Sequence, residues 1–230
     1  MKNIAIITAM DSEYNAVRSL YDFREAEGSV RARVNGKSIW LIKSGIGKVN
    51  GALAAASACR LGADLVISTG VAGGLDASLS QGDIVLADKC CYYDVWCGEP
   101  NELGQVQGLP LYYPTAEKLV VEILRQAKTD FHFLTGLTVT GDKFLTDENK
   151  LREIKQNYNG ALAVDMESAA IAQACYLHNK RPYLSLRLIS DVVGKPNQTE
   201  EYDQFWENFP TKSSEVLDFV LKTICSLDCY

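Results

Sequence analysis

Several chemistries are excluded by what this sequence has little of. It carries only two histidines, His132 and His178, with no metal-ligand spacing around either, so no metal and no cofactor are expected. Its seven cysteines (Cys59, Cys90, Cys91, Cys97, Cys175, Cys225 and Cys229) are odd in number and form neither a disulfide framework nor a paired CxxC site, which suits free thiols in a reducing compartment. Basic residues are outnumbered 23 to 29, and the formal charge of −6 leaves no diffuse positive field for a nucleic acid backbone or an anionic membrane. No apolar run approaches the roughly 20 residues that cross a bilayer. The first ten residues run from Met-Lys-Asn straight into a short apolar strand and lack the parts of a signal peptide. A cytoplasmic location is expected, the alternative being export without a recognisable signal. There is no Walker A or GxGxxG sequence, internal repeat, low-complexity tract or interdomain linker.

What is there reads as one α/β domain spanning residues 1–230. Apolar residues make up 47% and charged residues 23%, so the chain lacks the polar bias that prevents folding. Ile4–Thr8 is a β-branched apolar run followed from Asp11 by helical spacing at Tyr14, Val17 and Leu20. Residues 29–34 and 37–43 flank Asn35-Gly36, a dipeptide suited to a two-residue hairpin turn. An alanine-rich helix over 48–61 leads to a strand at 64–68 and a glycine-rich turn. Strands at 83–88, 135–140, 161–165 and 182–190 then alternate with helices at 115–128, 147–157, 167–178 and 212–226. Val216, Phe219, Val220 and Ile224 mark the buried stripe of that last helix. This alternation predicts a three-layer α/β/α architecture around a mixed, mostly parallel twisted sheet, the hairpin supplying the antiparallel part. Residues 94–114 form the longest stretch without periodicity, a candidate loop for closing over a ligand.

Ligands on such sheets sit at the carboxyl ends of strands. Three acidic residues stand there: Glu13 after the first strand, Glu167 after Val164-Asp165-Met166, and Asp191 after Leu186-Arg187-Leu188-Ile189-Ser190. Taken singly, Glu13 and Glu167 equally suit first-turn carboxylates facing a helix dipole, and Asp191 suits an N-cap or turn. Together on one sheet edge they suit glycosyl hydrolysis, in which carboxyl groups in unlike surroundings divide acid and base work and a third holds sugar hydroxyls. The glycine-rich turns Ser44–Lys48 and Thr69–Gly74 either let backbone approach a ligand or serve tight turns.

Six segments carry a family resemblance: Ile6–Glu13, Lys43–Val49, Thr69–Leu75, Gly82–Val85, Val164–Ala170 and Arg187–Asp191. Over essentially the whole chain the sequence resembles the 5′-methylthioadenosine/S-adenosylhomocysteine nucleosidases, within the nucleoside phosphorylase-like enzymes. The resemblance implies that Glu13 activates water with help from Arg187, and that Asp191 protonates purine N7, steadied by Ser190. It implies that Met166 and Glu167 grip the ribose, that Phe144 stacks on adenine and that the Leu145 backbone reads its edge. Met10, Ile46, Val71, Ala72, Gly73 and Asp165 complete the implied pocket, and Tyr202 or Phe205 either closes it or is helix-face core. Val71 stands where some nucleosidases have serine, and the 94–104 segment departs from the family's aromatic-bearing loop. In the family this loop reaches the neighbouring subunit and lines the pocket for the 5′ substituent, and a homodimer is implied. The other functions considered are aminodeoxyfutalosine hydrolysis, phosphorolysis by a purine nucleoside phosphorylase, and non-catalytic nucleoside binding. The last is expected to have lost an acid or base.

Overall fold

In the computed structural model, which describes residues 1–26, 29–127, 129–194 and 198–227, apolar runs become central strands. β1 (Asn3–Thr8) is buried along all but its first residue and is flanked on both sides by parallel partners, as expected of a continuous apolar run with no polar face. α1 (Asp11–Arg18) follows it. A short β2 (Arg24–Ala26), absent from the sequence reading, pairs with β3 (Ser29–Val34), which joins β4 (Lys37–Lys43) in the expected hairpin. Asn35 and Gly36 take positive φ of 48° and 78°, as a two-residue hairpin turn requires.

The remaining elements are α2 (Lys48–Arg60), β5 (Leu65–Gly74), β6 (Ile84–Tyr92), β7 (Tyr113–Pro114), α3 (Glu117–Gln126), β8 (Phe133–Thr140), α4 (Glu148–Asn157), β9 (Ala161–Asp165), α5 (Ser168–Leu177), β10 (Tyr183–Val192) and α6 (Gln198–Ser226). They form one mixed sheet whose longest ladders are parallel. Its order is β10-β6-β8-β9-β5-β1-β4-β3-β2, and an additional β10–β5 pairing closes β5, β10, β6, β8 and β9 into a ring. Helices α1, α3 and α6 bury one apolar cluster against the sheet. The alanines of α2 and α5 bury another, where Gly51 lets α2 lie close to Glu167 and Ile171. Val216, Val220 and Ile224 are fully buried on α6, with Phe219 packed against them. Among the described residues, no helix is long and apolar enough to cross a membrane.

Two expectations are corrected here. The glycine-rich segment 69–74 is not a turn but the second half of β5, because β10 pairs with it as far as Gly74. Glycine's turn preference is overridden by a neighbouring strand that supplies ladder partners. The last helix begins at Gln198 rather than 212, running through Pro210, a residue type that sequence reasoning treats as a helix boundary. The end of the expected 115–128 helix, Lys128, and the thiol of Cys229 lie outside the described residues. The other six cysteines are free.

Candidate active site

The three carboxylates predicted at strand ends line a single cavity of about 370 Å³. Glu13 arrives there because β1 ends at Thr8 and α1 starts at Asp11, so its side chain folds back beneath the turn. Its Oε2 accepts hydrogen bonds from the backbone N–H groups of Ala9 (2.9 Å) and Met10 (3.0 Å), and its Oε1 from that of Val71 (3.1 Å). Glu13 thus caps α1 and faces the cavity at once. Gly70 makes room for it, since a Cβ at that position would collide with the Glu13 carboxylate. Burial raises the Glu13 pKa, against the lowering effects of the Met10 N–H, the Arg187 charge and the Val71 and Ala9 N–H groups.

Glu167 stands at the N-terminal boundary of α5 but makes no side-chain cap to its own helix. Its Oε1 instead accepts from the N–H of Gly47, 2.8 Å away in the turn before α2. Gly47 takes φ of 99°, a conformation that favours glycine and aims this N–H across the gap. Burial and the neighbouring Asp165 charge push Glu167 up to about 7, offset in part by Arg187 and the Gly47 N–H.

Asp191 is neither an N-cap nor a turn residue; it lies within β10 and is 1% exposed. Ile189 pairs with Ala72 and Asp191 with Gly73, which leaves Ser190 as the extra residue of a β-bulge. Successive side chains of a strand point to opposite faces, yet here Ser190 and Asp191 both line the cavity. Their side chains meet, Ser190 Oγ donating to Asp191 Oδ1 at 2.5 Å. The other carboxylate oxygen, Oδ2, accepts from Nε2 of Gln198 at 2.8 Å.

Met10, Ile46, Val71, Ala72, Gly73, Phe144, Leu145, Asp165, Met166 and Tyr202 line the same cavity. Phe144 is 54% exposed and meets Tyr202 edge to face, ring centroids 5.2 Å apart. Of the two aromatic candidates on α6, Tyr202 reaches the cavity, while Phe205 is buried against Phe209 in the core. Arg187 is the exception among the expected residues. It does not line this cavity and makes no hydrogen bond to Glu13; it is buried behind the site, paired through Nε with Asp165 Oδ2 at 2.8 Å and through Nη2 with Ser68 Oγ at 2.6 Å. Asp165 is correspondingly engaged: Thr140 Oγ1 donates to its Oδ1 at 2.6 Å and the Ser168 N–H reaches both oxygens. It anchors Arg187 and the start of α5. A smaller space of about 10 Å³ is lined by Glu13, Glu167, Arg187, Ser68 and Thr69, among others.

The 94–114 segment contributes nothing to the cavity of its own chain. Its base is held by Asp94, which binds Lys48 Nζ at 2.8 Å and the Asp142 N–H at 3.0 Å. Sequence reasoning missed Gln198, and also Asp142 and Lys143, which line the cavity beside Phe144. A larger cleft of about 720 Å³, near Lys2, Asp64 and Tyr183, lies at the amino ends of β1, β5 and β10 and holds none of the three carboxylates. Chemistry at the carboxyl ends assigns the smaller cavity as the site. Among the described residues there is no cluster of His, Cys, Asp and Glu able to hold a metal.

Comparison with known proteins agrees with this geometry. The family model of the phosphorylase superfamily matches residues 3–222. A 5′-methylthioadenosine/S-adenosylhomocysteine nucleosidase from Geobacillus sp. is 36% identical, over 97% of this chain and 98% of its own. The crystal structure of the Neisseria meningitidis nucleosidase of that name, in complex with methylthio-immucillin-A, superposes with a TM-score of 0.89 at 31% identity, over 97% of this chain and 100% of that one. The futalosine hydrolase of Helicobacter pylori gives 0.86 at 25% identity, over 96% and 98%. A ring-closed mixed sheet, three carboxylates around one cavity and full-length similarity together place the chain in the phosphorylase superfamily, as an N-glycosyl hydrolase of the 5′-methylthioadenosine/S-adenosylhomocysteine nucleosidase family.

Proposed function

We propose that the chain acts as one nucleosidase domain, residues 1–230, which hydrolyses the N-glycosidic bond of 5′-methylthioadenosine and S-adenosylhomocysteine in the cytoplasm and releases adenine. The observation that carries this reading is the convergence of Glu13, Glu167 and Asp191 on one cavity. Glu13 takes a proton from water as the water oxygen bonds to C1′ of the ribose. The C1′–N9 bond breaks with its electron pair passing to the purine, and Asp191 delivers a proton to N7, so that neutral adenine leaves. General acid assistance of this kind contributes about 10²–10⁴-fold.

The surroundings support each role. Three backbone N–H groups fix the Glu13 carboxylate, and the 10 Å³ space beside Glu13 and Arg187 is about the size of one water. Arg187 acts there through its charge and by holding Asp165. The Gly47 N–H occupies Oε1 of Glu167, leaving Oε2 for ribose hydroxyls, with Met166 beneath the sugar. Phe144 offers a face for adenine, next to the backbone of Leu145. Five acids line the cavity (Glu13, Asp142, Asp165, Glu167 and Asp191) against one cation, Lys143, a balance that opposes a phosphate dianion and suits water. Retention of the acid and both other carboxylates argues against a binding-only protein.

Incubation of the purified protein with 5′-methylthioadenosine, S-adenosylhomocysteine and aminodeoxyfutalosine, with and without phosphate, tests the reading. Free adenine from the first two without phosphate is expected; the 5-substituted ribose 1-phosphate, formed only when phosphate is added, makes the enzyme a phosphorylase. A kcat/KM highest for aminodeoxyfutalosine transfers it to the futalosine hydrolase function carried by the Helicobacter relative.

The protein acts as a homodimer in this proposal. Val49 and Leu53 on α2 and Leu177 on α5 are large exposed apolar residues, as are Ile46, just before α2, and Trp96 in the 94–114 segment. Val49 and Leu177 share a groove with Val95 and Val106 of the 94–114 segment. An apolar patch of this kind marks an association surface, and Ile46 also lines the active cavity, so a second copy seated here lies beside the 5′ end of the substrate. Sedimentation is expected to give a dimer, and Leu53→Glu a monomer with raised KM; a monomeric wild-type protein rejects the assembly.

A further inference from the structure

Gln198 is the first residue of α6 and is 6% exposed. Its side-chain amide has a defined orientation, because Oε1 accepts from the Gly194 N–H at 3.1 Å and the donor end must therefore be Nε2. Nε2 carries two hydrogens and has two acceptors: Asp191 Oδ2 at 2.8 Å and the Leu145 carbonyl at 2.9 Å. These two groups have different jobs in the nucleosidase reading, on which this inference rests. Asp191 addresses N7, and the Leu145 backbone addresses the 6-amino end. In adenine these two positions lie next to one another on the same edge. One planar NH₂ group therefore joins the proton donor to the backbone that registers the base.

We propose that Gln198 is a positioning residue that holds the Asp191 carboxyl in line with N7 by tying it to the base-reading backbone at Leu145. Ser190 fixes the opposite oxygen, so the carboxyl plane is held from both sides, once from its own strand and once from α6. Without Gln198 the carboxyl loses its link to the Leu145 carbonyl, and the base still binds through Phe144 and the Leu145 backbone. The effect therefore falls on the transition state, where the proton moves, more than on ground-state binding.

The test is Gln198→Met, which keeps length and removes both donors, with Gln198→Ala as a second variant. Each is assayed for kcat and KM with 5′-methylthioadenosine and by calorimetry with two probes. One is the methylthio 9-deazaadenine analogue methylthio-immucillin-A, whose N7 bears a hydrogen that bonds Asp191. The other is 5′-methylthio-7-deazaadenosine, which has a C–H at that position. A hydrogen bond to a charged group of this kind corresponds to about 10–100-fold. The expected result is a kcat lowered by about that factor with KM within about threefold. Affinity for the N7–H probe falls in parallel, while affinity for the 7-deaza probe holds. Wild-type kcat in a folded variant overturns the proposal, and so does equal loss of both probes, which is what a purely structural role at the start of α6 produces. A wild-type enzyme that releases no adenine overturns instead the nucleosidase reading itself.

Discussion

Asp191→Asn is expected to lower kcat for 5′-methylthioadenosine by about 10²–10⁴-fold, with KM and adenine affinity little changed. Asparagine keeps the size of the side chain and can still meet Gln198 and Ser190. Its carbonyl oxygen takes the Gln198 donor, and its NH₂ group turns toward Ser190, whose hydroxyl already reaches the Ala72 carbonyl at 3.3 Å. The fold therefore tolerates the change. What is lost is a proton that can leave for N7, so adenine must depart as an anion and the barrier rises while the ground state is untouched. Steady-state kinetics with an adenine chromatogram checks this, and a variant with near wild-type kcat removes Asp191 from the acid role.

Glu13→Gln is expected to abolish hydrolysis to a similar degree, by a different route. An amide cannot accept the proton from water, and one of its two ends must now present N–H to backbone donors that a carboxylate satisfied. With oxygen toward Ala9 and Met10, the NH₂ faces the Val71 N–H, and leaving that donor unpaired costs about 1–3 kcal/mol. A modest fall in thermal midpoint is therefore expected beside the loss of turnover, and a fully active variant rejects Glu13 as the base. The same residue sets a pH limb. Glu13 must be ionised to act, and its pKa lies above the ordinary value of 4.5 because burial outweighs the Met10 N–H, Arg187 and the other lowering contacts. Activity is therefore lost as pH falls through that raised value, rather than in the ordinary glutamate range. Glu167, raised to about 7 by burial and by Asp165, adds a second loss over the same direction, seen as weaker ribose binding below neutrality. A kcat/KM profile flat down to pH 4.5 contradicts both.

The sequence made these three carboxylates legible because each ends or follows a run whose apolar, β-branched character identifies a central strand. The hairpin at Asn35-Gly36 was readable for the same local reason, since its turn chemistry is written in two adjacent residues. Features that depend on distant partners were not readable. Gly70 to Gly74 look like a turn until β10 is beside them, and the closure of five strands into a ring is a property of pairing, not of any one segment. The pairing of Arg187 with Asp165, a residue 22 positions away, was not readable either, since only the sheet brings them together and leaves Arg187 lining the small space beside Glu13. Gln198 gave no signal because a lone glutamine advertises no chemistry, and only the folded chain sets it against Asp191. The 94–114 segment was readable as a loop, yet it lines no part of the cavity.

The bulge on β10 means that the site depends on chain length as well as on residue identity. Between Ile189 and Asp191 the strand carries one residue more than its partner needs. Trimming that surplus would re-knit the two strands in unbroken step with Asp191 still opposite Gly73, but it would take away the hydroxyl that meets Asp191 Oδ1. The extra residue is what sets two consecutive side chains on one face, where ordinary alternation allows one. The acid and its hydroxyl neighbour therefore depend on a fixed residue count at this point of β10 as much as on their own chemistry.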